Sequence, residues 1–254
     1  MKYVYFVVEG PHDAAAIGKI LSIYNLKIVR NLDDLDSYWS RVIPGKYPHM
    51  GDLLKRVPIP VFYQSEDYSV AIYAAGGETN MCKAINTTLA NLDVSQLDAI
   101  AIFYDADGEN PKEKGNKMVQ NLQGIGEDCI LEQLSSINIG QVSTGNPKVG
   151  IYVFPNNEET GTLEKVLLEG ANQSYPELVK EATSYIDNID DKYKKKWKPS
   201  DSQKVLVGCI ANILKPGKAN QVSIQDNDWI CGKSLENGSQ FILNDFIKQI
   251  LGRT

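Results

Sequence analysis

The stretch Ala99-Ile-Ala-Ile-Phe-Tyr-Asp105-Ala-Asp107-Gly108 decides the fold class of this chain. Its first six residues are apolar, β-branched or aromatic, which is typical of a buried strand, and the strand ends abruptly at the aspartates. Residues 2–8 and 70–74 have the same composition and end in the same way, at Glu9-Gly10 and at Gly76-Gly77. The pattern therefore predicts several buried strands that each stop at an acid or at a glycine pair.

Helical patterns follow these strands. Pro11 and an acid in the first turn mark the entry of one helix after the first strand. A short strand over 26–29, a strand over 150–154 and helices over 79–92, 112–122 and 162–168 continue the series. This alternation predicts an α/β fold with a mostly parallel, Rossmann-like sheet flanked by helices.

The chain divides into a core and an extension. Residues 1–170 form the predicted catalytic core, in which 31–60 has four prolines and is predicted to be an irregular insertion. That insertion, with Trp39, Tyr47 and His49, is predicted to be a partner surface or a lid. Residues 171–254 are predicted to form a mainly helical, lysine-rich C-terminal extension packed on the core, with helices over 200–214 and 240–251.

Composition excludes several classes of protein. The 254 residues carry a net charge of −6, which argues against binding to nucleic acid by bulk charge but leaves room for a local basic face. No stretch approaches the ~20 apolar residues of a membrane span, and the apolar start is too short for a secretion signal. Four cysteines without a CxxC pair and only two histidines argue against a zinc site. We expect a cytoplasmic protein with four reduced, mostly buried thiols.

Acidic residues follow several of the strands. The carboxyl ends of parallel strands meet at one edge of a sheet, so Glu9, Asp105, Asp107 and Glu164 are predicted to converge there. Crowded carboxylates repel one another, and a hard divalent cation such as Mg²⁺ relieves that repulsion. Other interpretations stay open: Asp13 is equally well explained as a helix cap, and the Asp-x-Asp pair also occurs in aspartyl phosphatases. A calcium loop beginning at Asp105 is excluded by its sixth and twelfth residues, and no P-loop or dinucleotide motif is present.

The order of these motifs resembles the Toprim domain, the catalytic module of topoisomerases, bacterial-type primases, overcoming-lysogenization-defect nucleases and small RNA maturases. The matching elements are Glu9-Gly10-x-x-Asp13, Gly76-Gly77 and Asp105-x-Asp107-Gly108, each after a strand. Residues 149–155 with Gly161-Thr-Leu-Glu164, and the ending with Pro216-Gly217 and a helix over 241–251, resemble a narrower family of stand-alone prokaryotic Toprim proteins. The resemblance covers nearly the whole chain except 31–60.

The resemblance implies a role for each matched acid. Glu9 would be the general acid or base, or a metal-held carboxylate, and Asp105 and Asp107 would hold Mg²⁺ or Mn²⁺. Asp13 and Glu164 would complete the shells of one or two ions. Glu158 and Glu159 are weaker candidates, since a solvated acidic loop explains them better. The glycines that would approach phosphate, or only form tight turns, are Gly10, Gly76 and Gly77.

A lysine-rich segment supplies positive charge. Residues 192–218 contain eight lysines and one acid, and aromatic side chains are interleaved with them. The segment is interpreted as a surface that follows a nucleic-acid backbone, although a merely solvated charged face is the alternative. The candidate phosphate contacts are Lys194, Lys195, Lys196 and Lys218, and Lys204 is a candidate for neutralising transition-state charge. The segment lacks arginine, which favours sequence-independent or shape-based recognition.

Among Toprim chemistries, the chain is too short for a topoisomerase gate and lacks the zinc module of a primase. The remaining prediction is a metal-dependent nuclease acting on RNA or DNA, similar to effectors of prokaryotic antiviral systems. The resemblance implies an ATPase or a second copy of the chain as a partner, and any ATP dependence would come from that partner because the chain has no ATPase motif of its own. The alternatives are a non-catalytic nucleic-acid or nucleotide-binding Toprim protein and a small-substrate phosphatase.

Overall fold

A six-stranded sheet forms the centre of the molecule. The computed structural model describes residues 1–45, 59–122 and 128–253. The strands are β1 (Lys2–Val8), β2 (Lys27–Ile28), β3 (Val61–Gln64), β4 (Tyr68–Ala74), β5 (Leu97–Asp105) and β6 (Lys148–Phe154), in the order β2-β3-β4-β1-β5-β6. Strands β4, β1, β5 and β6 are parallel, whereas β3 is antiparallel to both of its neighbours. The carboxyl ends of the four parallel strands therefore lie at one edge.

Helices cover both faces of this sheet. They are α1 (Pro11–Ile23), α2 (Glu78–Leu89), α3 (Pro111–Asn121), α4 (Asp128–Ser136), α5 (Leu163–Ser174), α6 (Pro176–Asp187), α7 (Asp191–Lys194), α8 (Asp201–Leu214), α9 (Asn220–Asp226) and α10 (Gly238–Leu251). The predicted fold class is confirmed: the protein is α/β, with a mostly parallel sheet, flanking helices and further helices at the C-terminus. No helix within the described ranges is long and apolar enough to cross a membrane.

Alternation along the strands divides the core into two layers. On β5, Ala101 and Phe103 face a layer that contains α1, α5 and the C-terminal helices, which we call the α1 face. Ile102 and Tyr104 face a layer that contains α2, α3 and α4, which we call the α2 face. Successive side chains of a strand point to opposite sides of the sheet, so Asp105, the last residue of β5, lies on the α1 face with Phe103.

The described part of the predicted insertion at 31–60 consists of short 3₁₀ helices and irregular chain, and one of its side chains lies in the core. Residues 37–42 form a short 3₁₀ helix whose Trp39 is fully buried on the α2 face. The indole Nε1 of Trp39 donates a hydrogen bond to Ser69 Oγ at 2.9 Å, and the ring packs on Phe62. Burial of so large a side chain makes this segment part of the core, not a lid. Tyr47 and His49 lie outside the described residues.

The C-terminal helices pack on the same sheet as the predicted catalytic core. Helix α10 contacts β5 and β6, and the Phe246 ring meets Phe103 edge-on, with centroids 5.5 Å apart. The predicted boundary between 170 and 171 falls inside α5. All four cysteines are free, but the prediction of mostly buried thiols is wrong, because Cys129 is exposed and the other three are partly exposed.

A substitution in α5 tests this packing. A Cβ atom on Gly170 would lie 1.9 Å from the Trp229 carbonyl oxygen and 2.3 Å from Gln240 Nε2. We expect Gly170→Ala to lower the free energy of unfolding by about 3 kcal/mol, at the upper end of overpacking costs. Urea unfolding measures the change. In the matched control Gly208→Ala, the nearest atom is 3.8 Å away, and stability should hold or rise by up to about 1 kcal/mol. Equal effects of the two substitutions would contradict the close packing.

Candidate functional site

The carboxyl edge of the sheet brings the predicted acids to two neighbouring strands. β1 and β5 are adjacent and parallel, so Glu9 and Asp105 follow them at the same edge. The backbone N–H groups of Gly76 and Gly77 both donate to the Glu9 carbonyl oxygen at 3.0 Å. The turn after β4 therefore fixes the backbone at the end of β1.

Three carboxylates gather on the α1 face of this edge. Asp13 is buried, and its Oδ2 accepts a hydrogen bond from Gly10 N–H at 2.7 Å. Asp105 Oδ1 accepts from Leu163 N–H at 2.9 Å, at the start of α5. Glu164 is buried and accepts from the Thr162 hydroxyl at 2.6 Å. The side chains thus come from α1, β5 and α5, and the capping role of Asp13 coexists with membership of this group.

Burial and neighbouring carboxylates raise the pKa of two members of this group, Asp13 and Asp105. Burial above all, with repulsion from Glu9 and Glu164, raises the pKa of Asp13 to about 7. Burial, followed by the Asp13 carboxylate, raises the pKa of Asp105 well above its ordinary value. Without a cation, the group holds protons that exposed carboxylates would release. We call Glu9, Asp13, Asp105 and Glu164 the acidic cluster.

Glu9 lies between this group and a second one on the α2 face. Burial raises the pKa of Glu9, and so does the Asp107 carboxylate, whereas the Asp105 backbone N–H and the Lys114 ammonium lower it. Its Oε2 is buried and has no hydrogen-bond partner among the described residues. A buried carboxylate oxygen without a donor is costly, so this atom is suited to receive a cation or a proton.

The second group contains a buried ammonium. Lys114 is 3% exposed, and its Nζ lies 3.0 Å from Glu78 Oε2 and 3.2 Å from Asp107 Oδ2. Burial alone would lower the pKa of Lys114, but hydrogen bonds to both acids raise it. Nζ also lies 5.9 Å from the ring centroid of Tyr104, whose hydroxyl is buried without a partner among the described residues. We call Glu78, Asp107 and Lys114 the lysine triad.

The structure therefore separates the two aspartates of the Asp-x-Asp pair. Asp105 contacts the start of α5, whereas Asp107 contacts α3. The reason is backbone conformation: Asp107 has φ 51°, in the left-handed region that aspartate tolerates, and exchanges two 2.8 Å backbone hydrogen bonds with Gly161. The chain turns at this point, so the two side chains do not share one pocket.

The three predicted phosphate-binding glycines have other hydrogen-bond partners in the structure. The Gly10 amide donates to Asp13, and the Gly76 and Gly77 amides donate to the Glu9 carbonyl. Gly76 and Gly77 have φ of 77° and 122°, which explains why glycine occupies both positions. Their role in phosphate binding stays a prediction, and space around both Cα atoms is open.

The lysine-rich segment does not form one patch. Lys194 lies 3.9 Å from Asp191 and donates to the Asp187 carbonyl oxygen, while Lys195 and Lys196 are exposed and in no ion pair with a described residue. Lys218 is exposed beyond the other end of α8, and a helix of this length spans about 20 Å.

Lys204, one turn into α8, lies near the site: its charge, after burial and opposed by Glu164, lowers the pKa of His12. Because the charge of Lys204 acts on His12, the N-terminal end of α8 lies near the start of α1. His12 is the neighbour of Asp13 in α1, so the N-terminal end of α8, and not the end that leads to Lys218, is the one close to the acidic cluster.

The acidic cluster fits a divalent metal by its chemistry. Its donors are all carboxylate oxygens, one of them is an unpartnered buried atom, and the group is crowded enough to repel. Within residues 1–45, 59–122 and 128–253, no three His, Cys, Asp or Glu side chains are placed to hold one ion together. Mg²⁺ commonly uses one or two carboxylates and keeps several waters, which suits this spacing.

Sequence reasoning missed Lys114 and Glu78. Lys114 belongs to the buried stripe Pro111, Lys114, Gly115 and Met118 of α3, which has helical spacing. A lysine on the inward stripe of a helix that follows an Asp-x-Asp turn was the available signal, because lysine is rarely buried without a partner. Glu78 gave no comparable signal, since its partner is 36 residues away in the sequence.

The fold and the acidic edge define an α/β protein with carboxylates at the carboxyl ends of its parallel strands. The family described as "Protein of unknown function (DUF3226)" matches residues 4–250, and the chain belongs to that family. The fold is similar to the crystal structure of hypothetical protein PH0156 from Pyrococcus horikoshii OT3, with TM-score 0.52 and 15% identity over 99% of this chain and 96% of that one. No curated protein matches the chain. The Toprim resemblance stays a prediction.

Proposed function

We propose that this protein is a phosphodiester hydrolase that depends on Mg²⁺ or Mn²⁺ and cleaves RNA or DNA. The observation that carries the proposal is the acidic cluster, in which the buried Asp13 and Glu164 are grouped with the partly buried Glu9 and Asp105, and in which Glu9 Oε2 is buried without a hydrogen-bond partner among the described residues. Such an arrangement is costly for folding alone and is typical of sites that hold a cation.

Each residue of the site has a separate role in the proposed reaction. One or two of the carboxylates of Asp13, Asp105 and Glu164 would hold the ion together with water molecules, and the ion would neutralise charge on the scissile phosphoryl group when bound. Glu9 Oε2 is free to accept a proton from the attacking water or to return one to the leaving oxygen. The raised pKa of Glu9 moves it towards neutral pH, where proton transfer in both directions is efficient. Lys204 lies on the α1 side of the cluster, where its charge would attract a phosphate.

A cleavage panel tests the proposal. Single- and double-stranded DNA, structured RNA and tRNA are incubated with the protein and Mg²⁺, Mn²⁺ or EDTA. We expect cleavage of at least one polymer with either metal and none with EDTA. Metal-independent cleavage, or no metal-dependent cleavage of any substrate, would count against the proposal. The cellular role that we attach, an antiviral effector with an ATPase or a second copy as partner, comes from the Toprim resemblance, and the cytoplasmic location comes from the sequence.

A small phosphate ester is the second candidate substrate. The observation that favours it is the broken basic surface, since Lys192 and Lys194 pair with Asp190 and Asp191 and Lys218 lies at the other end of α8. The same panel therefore includes bis-p-nitrophenyl phosphate and p-nitrophenyl phosphate. Turnover of these esters without cleavage of any polymer would select the small-substrate reaction.

Lys195 and Lys196 provide the test for polymer binding. Both are exposed near the N-terminal end of α8, the end that carries Lys204. Changing both to glutamine should weaken binding of a single-stranded oligonucleotide and reduce the slope of log K against log salt by about 1.4. The matched control changes Lys215, which pairs with Asp226, and the exposed Lys180 of α6 to glutamine and should leave the slope unchanged. Fluorescence anisotropy across a salt series measures both, and an unchanged slope in the first variant would remove this surface from the proposal.

A further inference from the structure

The two faces of the site edge differ in how their negative charge is balanced. On the α1 face, no described lysine or arginine forms an ion pair with Asp13, Asp105 or Glu164. On the α2 face, the carboxylates of Glu78 and Asp107 share the Lys114 ammonium. The carboxylates of the lysine triad therefore have a positive counter-charge, whereas Asp13, Asp105 and Glu164 have none among the described ion pairs.

Lys114 is placed as a fixed cation. Its side chain is 3% exposed, whereas those of Glu78 and Asp107 are 41% and 50% exposed. The ammonium bridges two elements, the first residue of α2 and the turn after β5, and it lies beneath their carboxylates against the Tyr104 ring. Breaking these ion pairs would cost free energy, because it would leave the buried ammonium or the two carboxylates without an opposite charge.

We propose that the Lys114 ammonium takes the place of a second divalent ion, so that the protein binds one ion, in the acidic cluster. This inference rests on the metal dependence of the proposed function. Lys114 is a positioning residue: it holds Asp107 and Glu78 away from the metal and places a positive charge next to Glu9. Asp107 then acts through Lys114 and is not a metal ligand.

Charge balance supports this assignment. A divalent ion between Glu9, Glu78 and Asp107 would bring two more positive charges beside the ammonium of Lys114, whose side chain is 3% exposed. Like charges at such short range repel strongly in a partly buried site. A second Mg²⁺ is therefore excluded from the space between Glu9, Glu78 and Asp107 while Lys114 is protonated. Removal of the ammonium leaves the carboxylates of Glu9, Glu78 and Asp107 without a counter-charge, and one or two of them with several waters are sufficient ligands for Mg²⁺.

Counting bound Mn²⁺ tests the proposal without using activity. Wild-type protein and Lys114→Met are titrated with Mn²⁺ and followed by electron paramagnetic resonance of the free ion. We expect one ion per chain in wild type and two in Lys114→Met. The matched control is Lys117→Met, one turn further along α3, whose partner Glu109 lies outside both groups. It should bind one ion. Lys114→Arg, which keeps the charge, should also bind one.

Each other outcome decides the question. Two ions in wild type, or one ion in a folded Lys114→Met, would overturn the proposal, and a purely structural role would lower the melting temperature without changing the count. Binding of no ion by wild type would contradict the proposed function. In that case, a gain of one ion in Lys114→Met would still support the role of Lys114, and no gain in that variant would overturn this role. If Lys114→Met does not fold, Asp107→Asn decides: we expect its Mn²⁺ affinity to fall less than tenfold, below the roughly 10–100-fold cost of removing even an outer-shell partner.

Discussion

Glu9→Gln is expected to lower the metal-dependent cleavage rate by about 10²–10⁴-fold, the usual contribution of a general acid or base. The glutamine amide keeps the shape of the side chain but cannot accept the proton that Oε2 is placed to take. Its NH₂ group also points hydrogen-bond donors at a site suited to a cation. The measurement is single-turnover cleavage of the preferred substrate at saturating Mg²⁺.

The control for this prediction is Glu158→Gln. Glu158 is exposed in the loop after β6 and has no contact with the acidic cluster among the described hydrogen bonds. Its substitution should leave the rate within about twofold, since surface changes away from a site act weakly. A fall of less than tenfold in Glu9→Gln, or equal falls in both variants, would remove Glu9 from the reaction.

Asp13→Asn is expected to stabilise the metal-free protein at pH 8. The folded-state pKa of Asp13 is raised from 3.8 to about 7, so the folded state binds this proton more tightly than the unfolded state does. Its contribution to stability is therefore complete below about pH 4 and is lost as pH rises through about 7. Three pKa units correspond to about 4 kcal/mol as an upper bound, and asparagine removes this penalty at pH 8.

Urea unfolding in EDTA at pH 4 and pH 8 measures the effect. The difference between Asp13→Asn and wild type should be large at pH 8 and small at pH 4, and Glu158→Gln should follow wild type at both. Addition of Mg²⁺ at pH 8 should stabilise wild type much more than the variant, because the ion relieves the same repulsion. A difference that does not change with pH would show that Asp13 ionises normally in the folded protein.

The long apolar strands are predictable because their residues determine them locally. The runs over 2–8 and 99–104 are buried on both faces, and composition alone distinguishes them. The sequence does not predict β3, because its four residues next to two prolines show little of the pattern of a strand. The strand forms by pairing with β4. Sequence patterns place Trp39 in an insertion because its burial depends on Phe62 and Ser69, which lie far along the chain.

The position of the acids at one edge is predictable, but their division between faces is not. The alternation of strands and helices is sufficient to place Glu9, Asp105 and Glu164 at the carboxyl edge of a parallel sheet. The left-handed conformation of Asp107 and the inward direction of Lys114 depend on tertiary contacts with Gly161 and Glu78. Sequence spacing suggests that Asp105 and Asp107 act together, whereas the turn between them gives each a different partner.

Backbone hydrogen bonds that hold the site residues have a consequence for ligand binding. The Glu9 carbonyl is held by two glycine amides, Asp13 and Asp105 each accept from an amide, and Asp107 is paired with Gly161. These groups lose their conformational freedom when the chain folds, not when a ligand arrives. Metal binding should therefore cost the protein little conformational entropy. The metal-free and metal-bound forms should have nearly superimposable backbones at this edge.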